Sequence, residues 1–211
     1  MQSWNRKKNC SRISLNFLSP FIHMSADDIN KISAQFAGKV LSSKEFRGEH
    51  TVTVELSVLR DVLAFCKDSL GYDFLLDISS LDHFGDHPRF EMVYELATVN
   101  DSKHLRVKAP VAEEESVASA VDLWLAADWH EREVYDMMGI PFTGHPNLKR
   151  ILMWEGYPFF PLRKDFPLAG RPSDMPDVAF TGVAPLEGGP FVTSCGSDDM
   201  VRREPRARDQ K

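Results

Sequence analysis

Three cysteines are all that this sequence of 211 residues contains, and Cys10, Cys66 and Cys195 lie far apart. No pair has the C-x-x-C spacing of a zinc or iron–sulfur site, and three scattered thiols suggest no disulfide framework, so a reducing compartment is the simplest reading. Long apolar runs are missing as well. No window approaches the roughly eighteen consecutive apolar residues of a spanning helix, so any membrane association has to come through a partner. Positive charge is not in excess either. The 25 Lys and Arg against 31 Asp and Glu leave a net charge of −6, which argues against a nucleic-acid binder. There is no G-x-G-x-x-G, no Walker A loop and no G-x-S-x-G elbow. Gly188-Gly189 runs into Pro190 and makes no phosphate cradle.

Acidic residues are absent from Met1 to Ala26, where Arg6, Lys7, Lys8 and Arg12 are basic and Ser recurs. The apolar residues Ile13, Leu15, Phe17 and Leu18 are interrupted by Ser14 and Asn16, a poor core for a secretory signal. Residues 1–24 read as a basic extension, either a mis-called gene start with Met24 as the true first residue or a targeting segment.

What is present is ordinary for a folded domain: 43% apolar and 27% charged residues. Ser25 or Asp27 opens an amphipathic stretch with Ile29, Ile32 and Phe36 at helical spacing, and Gly38 stands where a C-cap belongs. Lys39 to Phe46 and His50 to Leu56 read as strands joined by a turn at Arg47-Gly48, and Val52, Val54 and Leu56 share one face. Ser57 is the expected N-cap of a second helix with Val58, Val62, Phe65, Cys66 and Leu70 as its stripe and Gly71 at its end. Phe74 to Leu81, Phe90 to Val99 and His104 to Lys108 are further strands. Glu113 to Ala127 returns to helical spacing through Val117, Val121, Trp124 and Leu125. The expected class is α+β, a largely antiparallel mixed sheet with helices on one face, over residues 25–140.

After Gly139 the character changes. From Pro141 to Pro190, prolines and glycines recur every few residues, yet Phe142, Leu148, Ile151, Leu152, Trp154, Tyr157, Phe159, Phe160 and Phe166 are too apolar for disorder. An extended Pro-rich arm over 141–192 that buries these side chains on another protein accounts for both features. Residues 193–211 form a polar tail.

The run His130-Glu-Arg-Glu-Val-Tyr-Asp136 is dense in potential ligands and acid/base groups. A zinc protease helix would need a second His where Val134 stands, and di-iron sites need Glu-x-x-His pairs that are missing. Arg132 and Asp136 stand four apart, as a helix-surface ion pair would, whereas Glu131 and Glu133 do not share a face. A structural or interface role therefore outweighs a metal or catalytic one, and no catalytic, cofactor-binding or metal-ligating residue is assigned. His83, His87, His104 and His145 lie near turns without Cys partners and read as solvated or hydrogen-bonded. In Pro161-Leu-Arg-Lys-Asp-Phe-Pro167, Arg163 and Asp165 can pair with charges on a partner while Leu162 and Phe166 anchor in pockets; Asp165 can equally fold back on its own neighbours.

Two segments carry a resemblance. Glu131-Arg-Glu-Val-Tyr-Asp-Met-Met-Gly-Ile-Pro-Phe-Thr-Gly-His145-Pro-Asn-Leu-Lys-Arg-Ile-Leu152 resembles the signature of the 30 kDa subunit family (the C subunit) of respiratory complex I. Leu162-Arg-Lys-Asp-Phe-Pro167 is similar to that family's second block, and Pro185-Leu-Glu-Gly-Gly-Pro-Phe-Val192 looks like members that carry a tail. The resemblance implies a non-redox subunit of the hydrophilic arm that helps to assemble the quinone-reducing module of a proton-translocating NADH:quinone oxidoreductase. It implies that FMN, iron–sulfur clusters, NADH and quinone are bound by other subunits and none by this chain. It implies contacts with the quinone-site (D) subunit and with the B and I subunits. The place it implies is peripheral, on the cytoplasmic side of a bacterial inner membrane or on the matrix side of a mitochondrial one. The expected interface residues are Glu131, Arg132, Glu133, Asp136, His145, Arg150, Arg163, Lys164, Asp165 and Phe166. Homologous subunits of membrane-bound hydrogenases and of ferredoxin- or F420-linked complexes are the alternative. One departure stands out: Phe159-Phe160 occupies the place of Gly-His in many members.

Overall fold

The computed structural model describes residues 20–100 and 103–166, with side chains from residue 27 onward. Helix α1 (Pro20–Gln35) begins earlier than Ser25 and so takes in the end of the supposed extension. It is followed by β1 (Val40–Phe46), β2 (Glu49–Val54), a 3-10 turn (Leu56–Val58), α2 (Leu59–Asp68), β3 (Phe74–Asp82), β4 (Phe90–Ala97) and β5 (His104–Val111). The chain then forms β6 (Val117–Ala118), α3 (Ala127–Met138) and β7 (Phe142–Thr143).

The five long strands make one sheet in the order β1-β2-β5-β4-β3. Three pairings are antiparallel, and β2 lies parallel to β5. This is the expected mixed, largely antiparallel sheet, and the parallel pair arises because α2 carries the chain away between two hairpin-linked units. The β1–β2 hairpin closes on Arg47 and Gly48 with φ of 54° and 81°. A two-residue loop with both central residues left-handed matches the right-handed twist of the strands it joins.

Period-two alternation sorts the sheet into two faces. His50, Val52, Val54, Leu75, Ile78, Phe90, Met92, Tyr94, Leu96, Leu105, Val107, Ala109 and Val111 are buried on one face. Ile32 of α1, Leu59, Val62, Leu63 and Cys66 of α2, and Val134, Met137 and Met138 of α3 join the same core. Burial pushes the Cys66 thiol up to about 12, so it packs as a small apolar side chain. The opposite face is charged and self-paired. Arg106 bonds Glu95 and Glu49, Lys108 bonds Glu91 at 2.8 Å, and His104 meets Glu95 at 2.9 Å.

Two local expectations fail. Ser57 caps no helix: the residue at the α2 N-cap is Val58, without a side-chain cap, and Ser57 Oγ donates to Glu55 at 3.3 Å. Glu113 to Ala127 is not a helix. Val117 N–H donates to the Pro141 carbonyl and Ser119 N–H to that of Thr143, so strand pairing claims the donors a helix would have used. Val117 and Trp124 of the apparent stripe are buried, but Leu125 is 84% exposed. Helical spacing here is a coincidence of turns, and tertiary pairing overrides it.

Candidate partner-binding segment

Helix α3 carries two acidic residues that are 0% exposed, Glu131 and Asp136. A buried carboxylate is tolerated only when donors surround it, and each of these is surrounded by the backbone of a flanking loop. Glu131 Oε1 accepts the Ala120 N–H at 2.7 Å, and Oε2 accepts the Ser119 hydroxyl at 2.7 Å. Burial raises the Glu131 pKa from its ordinary value, only partly opposed by the Ala120 N–H and the Ser119 hydroxyl.

Asp136 is the opposite case. Its Oδ2 accepts three successive backbone N–H groups, from Ile151 at 3.0 Å, Leu152 at 2.7 Å and Met153 at 2.8 Å. Its Oδ1 takes the Arg150 guanidinium at 2.6 Å. Burial pushes its pKa up, but the Met153 N–H, Arg150 and the Leu152 and Ile151 N–H groups outweigh it, so the carboxyl stays below the usual range. The sequence-level pairing of Arg132 with Asp136 is therefore corrected. Asp136 faces inward to Arg150, and Arg132 donates to the carbonyls of Lys149 at 3.1 Å and Arg150 at 3.4 Å, where its guanidinium also lies over Trp129. Helix α3 thus holds the loop before it through Glu131 and the loop after it through Asp136 and Arg132.

His145 belongs to the same assembly. Its side chain is fully buried, and Nδ1 accepts the Asn147 N–H at 3.0 Å. That leaves Nε2 as the protonated nitrogen of a neutral ring, directed at Asp128 Oδ1 at 3.1 Å and the Asp128 carbonyl at 3.2 Å. Glu133, by contrast, is exposed.

Arg163, Lys164 and Asp165 lie in a second cluster. Arg89 is its centre: Nε and Nη2 donate to the two oxygens of Asp82 at 3.0 Å each, Nη1 to Glu113 at 3.0 Å, and Nη2 to Asp165 at 2.6 Å. Arg163 donates to the Met138 carbonyl at 2.6 Å and to Glu113 at 3.0 Å. The Lys164 N–H completes Asp82 at 2.8 Å. The Arg89 bond holds the Asp165 carboxyl below the usual range, against a smaller effect of burial. The Arg163 and Asp165 side chains are therefore engaged inside the chain. Phe166 packs against Phe159 with ring centres 5.9 Å apart.

One ring connects the clusters. Phe160 lies under the Arg150 guanidinium at 5.1 Å and the Arg163 guanidinium at 4.6 Å. It reaches them over Gly139, the left-handed C-cap of α3 at φ 77° and ψ 22°. A Cβ at Gly139 would stand 2.6 Å from the Phe160 ring and 2.7 Å from Arg163 Nη2. Gly139 ends α3 in the left-handed conformation, and its missing side chain gives the bulky Phe160 its seat. Of the arm 141–192, residues 141–166 thus fold against their own domain; 167–192 and the tail lie outside the described residues.

Asp82, Arg89, Glu113 and Ser119 were not legible as functional positions. Asp82 and Arg89 close the end of the β3–β4 hairpin, where Asp82 stands opposite Phe90, and correct pairing of two expected strands would have brought them together. Glu113 was hidden by the helix assigned to it. Among the described residues, no group of three or more His, Cys, Asp or Glu side chains comes together as a metal site.

Comparison with known proteins agrees with these two motifs. Residues 52–172 match the family described as respiratory-chain NADH dehydrogenase, 30 Kd subunit. The C subunit of NADH-quinone oxidoreductase from Citrifermentans bemidjiense is 48% identical over 141 residues, 66% of this chain and 88% of that protein. The C 2 subunit of the same oxidoreductase from Rhizobium meliloti is 37% identical over 168 residues, 79% and 90% of the respective chains. A chain in the solved structure of membrane-bound sulfane sulfur reductase, an archaeal respiratory membrane complex, superposes with a TM-score of 0.58 at 25% identity, covering 67% of this chain and 85% of that one. Both motifs lie in the matched range, and the chain belongs to the 30 kDa subunit family of the respiratory-chain NADH dehydrogenase.

Proposed function

We propose that this chain is a non-redox subunit of a proton-translocating NADH:quinone oxidoreductase, where it serves as a scaffold for the quinone-reducing module. The observation that carries the reading is where the polar groups of the signature point. Glu131, Asp136, His145 and Arg150 are turned inward and fix backbone, while Leu125, Trp129 and Leu152 stand 84%, 61% and 62% exposed on the surface around them. Rigidly held loops that display large apolar side chains suit docking to another protein.

The neighbours this reading assigns are the quinone-site (D) subunit and the B and I subunits, with FMN, iron–sulfur clusters, NADH and quinone held by other chains. No helix among the described residues is long and apolar enough to cross a membrane. Attachment to the cytoplasmic side of a bacterial inner membrane then comes through the complex. The likeness to a sulfane sulfur reductase chain keeps a related membrane machine in view, but at 25% identity it is more distant than the NADH-quinone relatives at 37 to 48%.

Affinity purification of the tagged full chain from gently solubilised membranes tests this. Co-elution with NADH:quinone reductase activity and with a quinone-site subunit is expected. Elution alone, or with a large subunit bearing the paired Cys-x-x-Cys nickel ligands of a hydrogenase, overturns it.

A further inference from the structure

In the block Leu162-Arg-Lys-Asp165 the side chains alternate. Arg163 and Asp165 bond to Glu113 and Arg89, as described above, although Asp165 stays partly open to solvent; Leu162 and Lys164 are exposed and make no such bond. Lys164 is the one charged residue of the block whose side chain forms no ion pair or hydrogen bond among the described residues. Both outward residues stand on pinned backbone, since Leu162 N–H donates to the Met137 carbonyl at 3.1 Å and Lys164 N–H to Asp82 at 2.8 Å.

They line a shallow groove with Leu81, Met138 and His83. Leu81 and Leu162 form its walls, 43% and 57% exposed, over the nearly buried Met138. Asp82 also lines it, but its carboxylate is taken by Nε and Nη2 of Arg89, and the Lys164 ammonium lies within its electrostatic reach. What the groove offers an incoming segment is apolar walls with an exposed ammonium on the lip, bonded to no side chain among the described residues. An apolar surface of this kind takes an aliphatic or aromatic side chain, and the exposed cation selects a carboxylate beside it.

We infer that Leu162 and Lys164, rather than Arg163 and Asp165, form the partner-facing part of this block, and that the groove receives a segment of a neighbouring subunit presenting an apolar side chain next to an Asp or Glu. This rests on the proposed membership of a multi-subunit complex. Because the backbone is already fixed, little ordering remains to be done on binding.

The test uses the full chain in the purified membrane complex. A photo-crosslinker, Leu162→p-benzoylphenylalanine, is expected to label a peptide of another subunit that carries an acidic residue within two positions of the adduct. Lys164→Glu is expected to lower retention of the chain in the complex by about tenfold or more at low salt. Lys164→Arg should be retained, as should Lys44→Glu, which makes the same charge change on β1. Labelling confined to this chain, a labelled peptide without a carboxylate, or normal retention of Lys164→Glu overturns the inference. If Lys164→Glu melts lower as a free chain, the crosslink decides alone. A wild-type chain that enters no complex defeats the functional reading itself; one that enters while position 162 labels only its own chain defeats the groove alone.

Discussion

Asp136→Asn isolates the contribution of a single carboxylate. In the wild type, one oxygen takes three backbone N–H groups and the other takes Arg150. An asparagine that keeps its carbonyl toward the three N–H groups turns its amide donors onto the guanidinium, and the flipped rotamer leaves the three N–H groups facing donors instead. Breaking a buried ion pair from one side costs about 3–5 kcal/mol. Arg150 keeps the Asp136 backbone carbonyl at 2.9 Å and its contacts with Tyr157 and Phe160. The lower end, about 3 kcal/mol, is therefore expected, which corresponds to a drop in Tm of roughly 6–12 °C for a chain of this size. The dependence on pH follows from the depressed pKa. A carboxyl held below its unfolded value stabilises the fold above the ordinary aspartate range and loses that contribution as pH falls through the depressed range. The gap between wild type and variant should accordingly be full at neutral pH and narrow on acidification. Urea unfolding of the full chain across that range measures it. A deficit under about 1 kcal/mol at pH 7, or one that widens in acid, would refute the argument.

Glu131 carries the reverse sign. Its raised pKa means that the folded state is increasingly penalised as pH rises above the ordinary glutamate range, so Glu131→Gln should gain on the wild type with rising pH. Glutamine keeps an acceptor for the Ala120 N–H and can donate to the Ser119 oxygen, whereas Glu131→Ala strands that N–H at about 1–3 kcal/mol. Equal losses for the two variants in denaturant titrations at pH 7 would contradict this. Gly139→Ala places a methyl group in a left-handed residue and against Phe160, and should lose about 1–3 kcal/mol or more. It should also speed proteolytic cleavage within 150–166, and an unchanged melting curve with unchanged cleavage would count against the seat described for Phe160.

The sequence announced those parts of the fold in which local pattern and tertiary pairing agree. The alternation in β2 and the turn at Arg47-Gly48 are of this kind. Glu113 to Ala127 failed because apolar spacing of three and four is also produced by a short strand followed by tight turns. For the site, the density of charge around residues 130–136 was visible, but its direction was not. Arg132 and Asp136 sit at the right interval for a pair, yet Asp136 lies beneath a loop fifteen residues further on, and no helical rule reaches that far. Similarly, Arg163 and Asp165 look like docking charges until the distant Arg89 and Glu113 are brought beside them.

The seat of Phe160 on Gly139 has a dynamic consequence. Its ring touches the arginine of the Asp136 assembly on one side and the arginine of the Arg89 cluster on the other. Neither set of bonds can release its stretch of chain without disturbing the ring that the other also grips. The Asp136 assembly and the Arg89 cluster are therefore expected to open together rather than one at a time.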